Sequence, residues 1–228
     1  MSDFVNIKVV SSSAEFDDAM RVRRHVFVEE QQINASLEFD GNDFSATHFV
    51  AYFGKKPIGT LRLRYFKDFV KIERLCVTKD MRKTNTAALL IETSLSFCAS
   101  KGFEHAHALC KKELLDRWAK AGFFPIENAP SVEQNGMTLV PIAKRLPLPE
   151  QHITLETSPQ ILNKREGEWF ETQEIGGTNV LDRTEQIKHF ALMTNKIRML
   201  KIAPNIQPLN WHPPFRYDLI DLFEQKTK

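Results

Sequence analysis

A short polar turn near the middle of the chain carries residue types that suit phosphate binding. It contains two cations and two hydroxyls, in the order Arg82-Lys83-Thr84-Asn85-Thr86-Ala87-Ala88. The turn follows an extended stretch and opens a helix, and the first turn of a helix leaves backbone N–H groups unpaired at its positive end. Such a helix start binds phosphate groups. The same composition also fits an ordinary basic loop capped by Thr84 or Asn85, so both interpretations stay open.

Side-chain periodicity predicts the elements on either side of this turn. Phe69–Val77 alternates as a strand does, which places Glu73 on the same face as Val77. From Thr86 onwards apolar residues recur at helical spacing, and Gly102 lies where that helix ends. A strand and a helix therefore flank the turn that is the candidate phosphate site.

Length and composition exclude several classes of protein. The 228 residues are enough for one domain of about 150 residues and a smaller second unit. A net charge of +2 argues against a mainly electrostatic nucleic-acid binder. The apolar runs are too short to span a bilayer, and Met1–Val10 lacks the layout of a signal peptide, so we expect neither a membrane nor an exported location.

Cysteine and histidine usage points to a reducing compartment without a metal site. Cys76, Cys98 and Cys110 form no paired framework, which suits the cytoplasm. His105 and His107 share a strand face, but no second ligand cluster follows them. We therefore predict a cytoplasmic protein with no metal.

The remaining chain reads as an alternation of strands and helices before residue 147. The hairpin turns around Gly54-Lys55-Lys56-Pro57, and an acidic turn covers Glu38–Asp43. Besides the central strand and helix, the predicted elements are strands at Asn6–Val10, Thr47–Phe53, Ile58–Phe66, Glu104–Cys110, Phe123–Ile126 and Met137–Leu146, and helices at Ala14–Gln31 and Lys112–Ala121. This order predicts an α/β protein with a mixed (α+β) sheet and helices on both faces.

The phosphate-binding turn resembles the cofactor motif of the GNAT superfamily of N-acetyltransferases. The family pattern is Q/R-x-x-G-x-G/A after a strand ending in Val, and Arg82, Asn85, Ala87 and Val77 occupy its fixed positions. Asn85 replaces the first glycine of the pattern, and asparagine tolerates the left-handed backbone better than most residues. The resemblance covers about Ile7 to Leu146. Within the superfamily, the chain is similar to a bacterial subgroup with a VF-x-x-EQ opening. The motifs that carry this similarity are Arg23-x-x-Val26-Phe27-x-x-Glu30-Gln31, Glu38-x-Asp40-x-x-Asp43, His48, Gly59-Thr60-x-Arg62, Lys71-Ile72-Glu73-Arg74-x-x-Val77 and Ala121-Gly122-Phe123.

This resemblance implies the GNAT acyl-CoA N-acyltransferase fold and an acetyltransferase activity. An acetyl group would pass from the co-substrate acetyl-CoA to a primary amine of a small molecule or protein by direct attack. In the family the fourth strand opens away from the fifth, and backbone groups there hold the pantetheine arm; the matching residues are Leu75, Cys76 and Val77. The Arg82–Ala88 turn would hold the pyrophosphate.

Two other functions share parts of the pattern. Acyl-homoserine-lactone synthases also have an R-x-x-V-F helix, an E-x-D-x-x-D turn and a G-x-x-R strand, and they belong to the same fold. A non-catalytic GNAT module that binds a CoA ester is the third reading, favoured by Asn85 and Trp118. The phosphate-binding turn and the Ala-Gly-Phe ending favour the acetyltransferase.

The resemblance also suggests which side chains carry the chemistry. Glu73 is the candidate base, because a half-buried carboxylate can have a raised pKa; an ion pair with Arg74, Arg23 or Arg62 is the alternative. Many GNAT enzymes have a tyrosine acid where this chain has Trp118, so either the thiolate leaves unassisted or Cys110 is the acid that protonates it. A buried structural role is the alternative for Cys110. The candidate substrate contacts are Arg23, Glu30, Asp40, Asp43 and Trp118. For all of them except Trp118, the alternative is a network that fixes the first helix.

A proline-rich stretch, Leu146-Pro147-Leu148-Pro149, predicts a boundary between a GNAT domain at 1–146 and a C-terminal extension at 147–228. Within the extension we predict helices at Arg183–Asn195 and Tyr217–Gln225 and a strand at Lys196–Ala203. These elements are too few to bury their own apolar surface, so we expect the extension to pack on the GNAT domain or on the partner of a homodimer.

Overall fold

The secondary structure in a computed structural model follows the predicted alternation closely. The model describes residues 4–134 and 136–170. The strands in this part are β1 (Val5–Val9), β2 (Thr47–Phe53), β3 (Lys56–Tyr65), β4 (Val70–Val77), β5 (His105–Lys111), β6 (Phe124–Pro125), β7 (Val132–Gln134) and β8 (Met137–Arg145). The helices are α1 (Ser13–Arg23), α2 (Ala35–Glu38), α3 (Thr86–Ser100), α4 (Leu115–Lys120) and α5 (Pro159–Leu162), and the π-helical segment Arg24–Glu30 continues α1.

The strands form one mixed sheet with the order β1-β2-β3-β4-β5-β8-β6, and β7 pairs with β8 outside this path. All of the pairings are antiparallel except the one between β4 and β5, which is parallel. The predicted mixed α/β fold and the hairpin between β2 and β3 are confirmed. Periodicity missed β7, α2 and α5, because three or four residues are too few to show a repeat.

Helices α1 and α3 bury different sides of the sheet. On the α3 side, a large apolar cluster includes Phe49, Leu61, Ile72 and Leu90. On the α1 side the apolar clusters are smaller, and charged side chains such as Arg23 and Arg62 are also buried. The α1 side of β4 is therefore a polar surface inside the protein, which an ordinary apolar core would not provide.

Strands β4 and β5 separate after three paired positions. Val70, Lys71 and Ile72 pair with Ala106, His107 and Ala108, and no further β4–β5 pair follows within the described residues. Both strands continue past this point, β4 to Val77 and β5 to Lys111. The divergence leaves backbone groups on facing strand edges without ladder partners, and it confirms the opening between the fourth and fifth strands that the family resemblance implied.

A β-bulge in β4 reverses the expected orientation of its side chains. The register with β3 shifts between Thr60 and Arg62, so that Cys76 lies opposite Thr60 and Glu73 lies opposite Arg62. Arg74 has a φ of 53°, in the left-handed region. Because opposite residues share a face, Glu73 lies with Cys76 on the α1 side, whereas Val77 packs on the α3 side. The prediction that Glu73 and Val77 share a face is wrong, because strict alternation does not allow for the extra residue of a bulge.

The first part of the C-terminal extension packs on the GNAT-like core. Trp169 is 6% exposed and its ring lies 5.2 Å from the ring of Phe97 on α3. The Ile153 N–H donates to the Ser100 carbonyl, and Lys101 pairs with Glu166 at 2.9 Å. Residues 147–170 thus cover the end of α3. The domain boundary at 146/147 stays a prediction, and the helices and strand predicted between 183 and 225 lie outside the described residues.

This packing predicts a stability difference between two apolar positions of the extension. Trp169→Ala removes a buried ring and should lower the free energy of unfolding by about 3 kcal/mol. The melting temperature should fall by roughly 6–12 °C in differential scanning calorimetry. The matched control is Leu155→Ala, because Leu155 is fully exposed. Equal melting temperatures for both variants would show that the extension does not stabilise the core.

Candidate functional site

The turn between β4 and α3 presents unpaired backbone donors at a helix start. The N–H groups of Asn85, Ala87 and Ala88 have no hydrogen-bond partner within the part of the chain that the structure describes. Thr84 organises the turn: its Oγ1 donates to the Met81 carbonyl at 2.7 Å and accepts from the Thr86 N–H at 3.3 Å. The free donors point to an anion site of the kind that helix starts form.

Asn85 fits the glycine position of the turn without backbone strain. Its φ and ψ are −84° and 9°, so this position does not need the left-handed conformation. The departure from the family pattern therefore leaves the geometry of the turn intact. Lys83 and Ala88 are exposed beside it, where a bound anion would lie.

Arg82 does not point freely at this anion site. Its guanidinium donates two hydrogen bonds of 2.6 Å to the Glu30 carboxylate, and its Nε donates to the Val77 carbonyl at 3.0 Å. The hydrogen bond from Arg82 also holds the pKa of Glu30 below its usual value. The sequence assigned Arg82 to the cofactor and Glu30 to the substrate, and the structure joins them as a brace between the end of the π-helical segment and the end of β4.

A buried ion-pair network occupies the α1 side of the sheet. Arg23 and Arg62 are both completely buried. Arg23 donates to Glu38 at 2.6 Å and to Asp43 at 2.5 Å. Arg62 donates to Asp40 at 2.8 and 2.9 Å, to Asp43 at 2.8 Å and to Glu73 at 2.6 Å. Of the predicted substrate contacts, Arg23, Asp40 and Asp43 therefore lie in the network that the sequence left open as an alternative.

The carboxylates of the network differ in their response to burial. Burial raises the pKa of Glu38 even though Arg23 and Arg74 oppose it. For Asp43, burial also opposes ionisation, but hydrogen bonds from Arg23 and Arg62 outweigh it and hold the pKa below the usual value. The hydrogen bond from Arg62 likewise lowers the pKa of Asp40. An arginine pairs with each of these three carboxylates, so their contacts stabilise the fold rather than bind a ligand.

Glu73 is held as an ion pair, not as a base with a raised pKa. Its side chain is 8% exposed and contacts Arg62 at 2.6 Å and Lys71 at 2.7 Å. Burial opposes its ionisation, but Lys71 and Arg62 overcome this and leave the pKa below its usual value. The expected rise in the pKa is therefore wrong, because the sequence did not show how many cations converge on this residue.

Cys110 and Trp118 both pack against the apolar core on the α3 side. Cys110 is 2% exposed, and burial raises the pKa of its thiol. The indole of Trp118 packs edge-on against the ring of Phe123, with 5.0 Å between the ring centroids. Their roles in catalysis and substrate binding stay predictions, and these contacts are those of core residues.

Comparisons with known proteins agree with this geometry. Residues 13–146 match the family described as "Acetyltransferase (GNAT) domain". The chain belongs to the GNAT acetyltransferase family. The GNAT domain is 32% identical over 94 residues to the N-acetyltransferase YjcF of Bacillus subtilis, which is described as uncharacterised; the match covers 41% of this chain and 67% of YjcF. It is 30% identical over 123 residues to YyaT of the same organism, with 53% and 79% covered.

Solved structures share the fold of this GNAT domain. A Lactobacillus plantarum protein described as a candidate N-acetyltransferase superimposes with a TM-score of 0.59 at 27% identity, covering 62% of this chain and 98% of that one. The acyl-homoserine lactone synthase BjaI, crystallised with SAM and isopentyl-CoA, superimposes with a TM-score of 0.54 at 18% identity, covering 63% and 84%. At that identity the second likeness shows the fold alone.

Two further properties of the described residues bear on the sequence predictions. No helix there is both long and apolar enough to cross a membrane. Nor does that part of the chain bring together three or more His, Cys, Asp or Glu side chains that could hold a metal ion. Sequence reasoning missed Lys71 as a partner of Glu73, and it offered Glu73 as the partner of Arg74, which instead contacts Glu38 and Asp40.

The network predicts a large effect at Arg62. Arg62→Met should lower the free energy of unfolding by about 3 kcal/mol, because it removes one of the two nearest cations that pair with each of the buried carboxylates Asp43 and Glu73. The measurement is urea unfolding at pH 7. Arg64→Met on the same strand is the control, since Arg64 is partly exposed and lies 3.9 Å from Glu73; it should cost less than about 1 kcal/mol. Similar costs for both variants would contradict a structural role for the network.

Proposed function

We propose that the protein transfers the acetyl group of acetyl-CoA to a primary amine. The observation that carries this proposal is the β4–β5 divergence after Ile72 and Ala108, which opens beside the unpaired N–H groups at the start of α3. A cleft between strand edges fits the amide-containing pantetheine arm. The helix start next to it fits a pyrophosphate. Membership of the GNAT acetyltransferase family supports the assignment.

Each part of the cleft has a defined task in this reaction. The N–H groups of Asn85, Ala87 and Ala88 and the Lys83 ammonium bind the pyrophosphate. The edge of β4 from Leu75 to Val77 holds the pantetheine arm and offers backbone donors to the thioester carbonyl, where negative charge develops. Arg82 and Glu30 keep the end of β4 in place relative to the first helical segment.

The chemical step is a direct attack that needs no covalent enzyme intermediate. The unprotonated amine nitrogen forms a bond to the acetyl carbonyl carbon, the C–S bond breaks, and the CoA thiolate leaves with the electron pair. The nitrogen loses a proton and the thiolate gains one. Holding both reactants in the cleft supplies much of the rate, because the bimolecular step becomes an intramolecular one.

Turnover assays test the assignment. Purified protein is incubated with acetyl-CoA and a panel of amino acids, polyamines, aminoglycosides and lysine peptides, and the acetylated product is identified by mass spectrometry. We expect acetyl transfer to at least one primary amine. Binding of acetyl-CoA without turnover across the panel would favour the non-catalytic module. Preference for a longer acyl-CoA together with SAM would favour the acyl-homoserine-lactone reaction.

The anion site predicts that a negative charge at Ala88 lowers the affinity for acetyl-CoA without lowering the stability of the fold. Ala88→Asp places a carboxylate in the first turn of α3, where it favours the helix but repels a pyrophosphate. Acetyl-CoA affinity measured by calorimetry should fall about tenfold, which corresponds to about 1.4 kcal/mol, while the melting temperature stays the same or rises. The isosteric control Ala88→Asn should lose much less affinity. Unchanged affinity in Ala88→Asp would move the phosphate site elsewhere.

A further inference from the structure

His107 lies at the floor of the β4–β5 cleft. It pairs with Lys71 one position before the last β4–β5 pair, Ile72–Ala108. Because paired residues share a face, His107 lies on the same side of the sheet as Lys71 and Glu73. Its strand neighbours Ala106 and Ala108 point the other way, into the core under α3. The imidazole is therefore on the polar side of the sheet, next to the point where the strands part.

The surroundings of His107 favour the neutral imidazole. Its Nδ1 is buried and has no hydrogen-bond partner within the described residues. The ring lies 5.8 Å from the ring of Phe69, and Ala143 is its apolar partner on β8. A protonated ring would place a charged N–H at this unpaired position, which is unfavourable in a buried site.

The charged groups that face His107 come from β4. Burial lowers the pKa of the His107 imidazole, the Lys71 ammonium lowers it further, and Glu73 raises it. The lowered pKa and the unpaired Nδ1 both favour the neutral ring, which is the form that can accept a proton. The sequence singled out this histidine only as a metal ligand, in a pair with His105.

The two other candidates for proton transfer are occupied elsewhere. Glu73 is engaged by Arg62 and Lys71 and is already stabilised as a carboxylate. Cys110 is a buried thiol on the α3 side of the same strand. Among the candidates that the structure describes in the cleft, His107 alone combines a neutral form with a position on the polar face beside the opening.

We propose that His107 is the general base that accepts a proton from the ammonium group of the acceptor, before the resulting amine attacks acetyl-CoA. This inference rests on the proposed function. The ammonium N–H bond breaks and its proton moves to the imidazole, which leaves the amine lone pair free to form the C–N bond. The C–S bond then breaks, and the departing thiolate takes up the second proton that nitrogen loses. His107 returns its proton to solvent, so the cycle releases free CoA, the acetylated amine and one proton.

The experiment compares His107→Gln with His105→Gln. The two histidines are on the same face of β5, but His105 lies opposite Arg145 at the start of the strand, farther from the opening. The acceptor is whichever amine of the panel is turned over fastest by the unaltered protein. His107→Gln should lower kcat at least 10²-fold, in keeping with the loss of a general base, while acetyl-CoA affinity measured by calorimetry stays within about twofold. His105→Gln should keep full activity.

The pH profile provides a readout that a purely structural role would not change. The acidic limb of kcat/KM in the unaltered protein should have a midpoint below about 6.5, the ordinary imidazole pKa, and His107→Gln should remove this limb while His105→Gln keeps it. Retention of both activity and limb in His107→Gln, or loss of the limb in Glu73→Gln instead, would overturn the assignment. In either case the unaltered protein still acetylates amines, so the proposed function survives.

A measurement on the unaltered protein covers the case in which His107→Gln fails to fold or no amine of the panel is turned over. Nitrogen-15 imidazole spectra at pH 7, with and without acetyl-CoA, report the charge of His107 directly. We expect a neutral ring whose resonances shift when acetyl-CoA is added. A protonated ring at pH 7, or resonances that acetyl-CoA leaves unchanged while calorimetry shows that it binds, would overturn the proposal. Absence of acetyl-CoA binding would instead contradict the proposed function.

Discussion

The arrangement of this protein depends on two arginines that have no contact with solvent, Arg23 and Arg62. A buried guanidinium is tolerated only when carboxylates surround it, because removal from water costs several kcal/mol. The partners come from separate parts of the chain: Glu38, Asp40 and Asp43 from the segment after the first helix, and Glu73 from β4. Satisfying these charges brings α1, the acidic turn and the centre of the sheet together.

This requirement shapes the cleft that lies next to it. The β4 strand is held on its β3 side by the ladder and by the network, while its β5 side loses its partner after Ile72. The brace between Arg82 and Glu30 fixes the far end of β4 to the first helical segment. In the proposed function, the fixed side of β4 and the free backbone groups on its other edge hold the thioester without much rearrangement. The carboxylates of the network are already paired with arginines and a lysine, which is why we propose His107 for proton transfer.

Local signals predicted most of the fold. The alternation in Phe69–Val77 and the helical spacing after Thr86 are repeated often enough to identify the strand and the helix on either side of the proposed phosphate site. The bulge at Arg74 has no such repeat, so the faces of β4 were misassigned after it. Pairings between distant residues are also invisible locally: Arg82 and Glu30 are 52 residues apart, and their brace appears only when the fold closes. The predicted rise in the pKa of Glu73 failed because the sequence left its ion pairs open, whereas the structure places both Lys71 and Arg62 against this carboxylate.

The claim on which the other conclusions rest is that acetyl-CoA binds between β4 and β5 with its pyrophosphate at the start of α3. Amide hydrogen exchange followed by NMR, with and without saturating acetyl-CoA, tests it most directly because the proposed contacts are backbone N–H groups. Acetyl-CoA should slow exchange at Asn85, Ala87 and Ala88 and along Leu75–Val77, and leave the edge strand β1 unaffected. Unchanged exchange at all of these amides while calorimetry shows acetyl-CoA bound would contradict the assignment of the site.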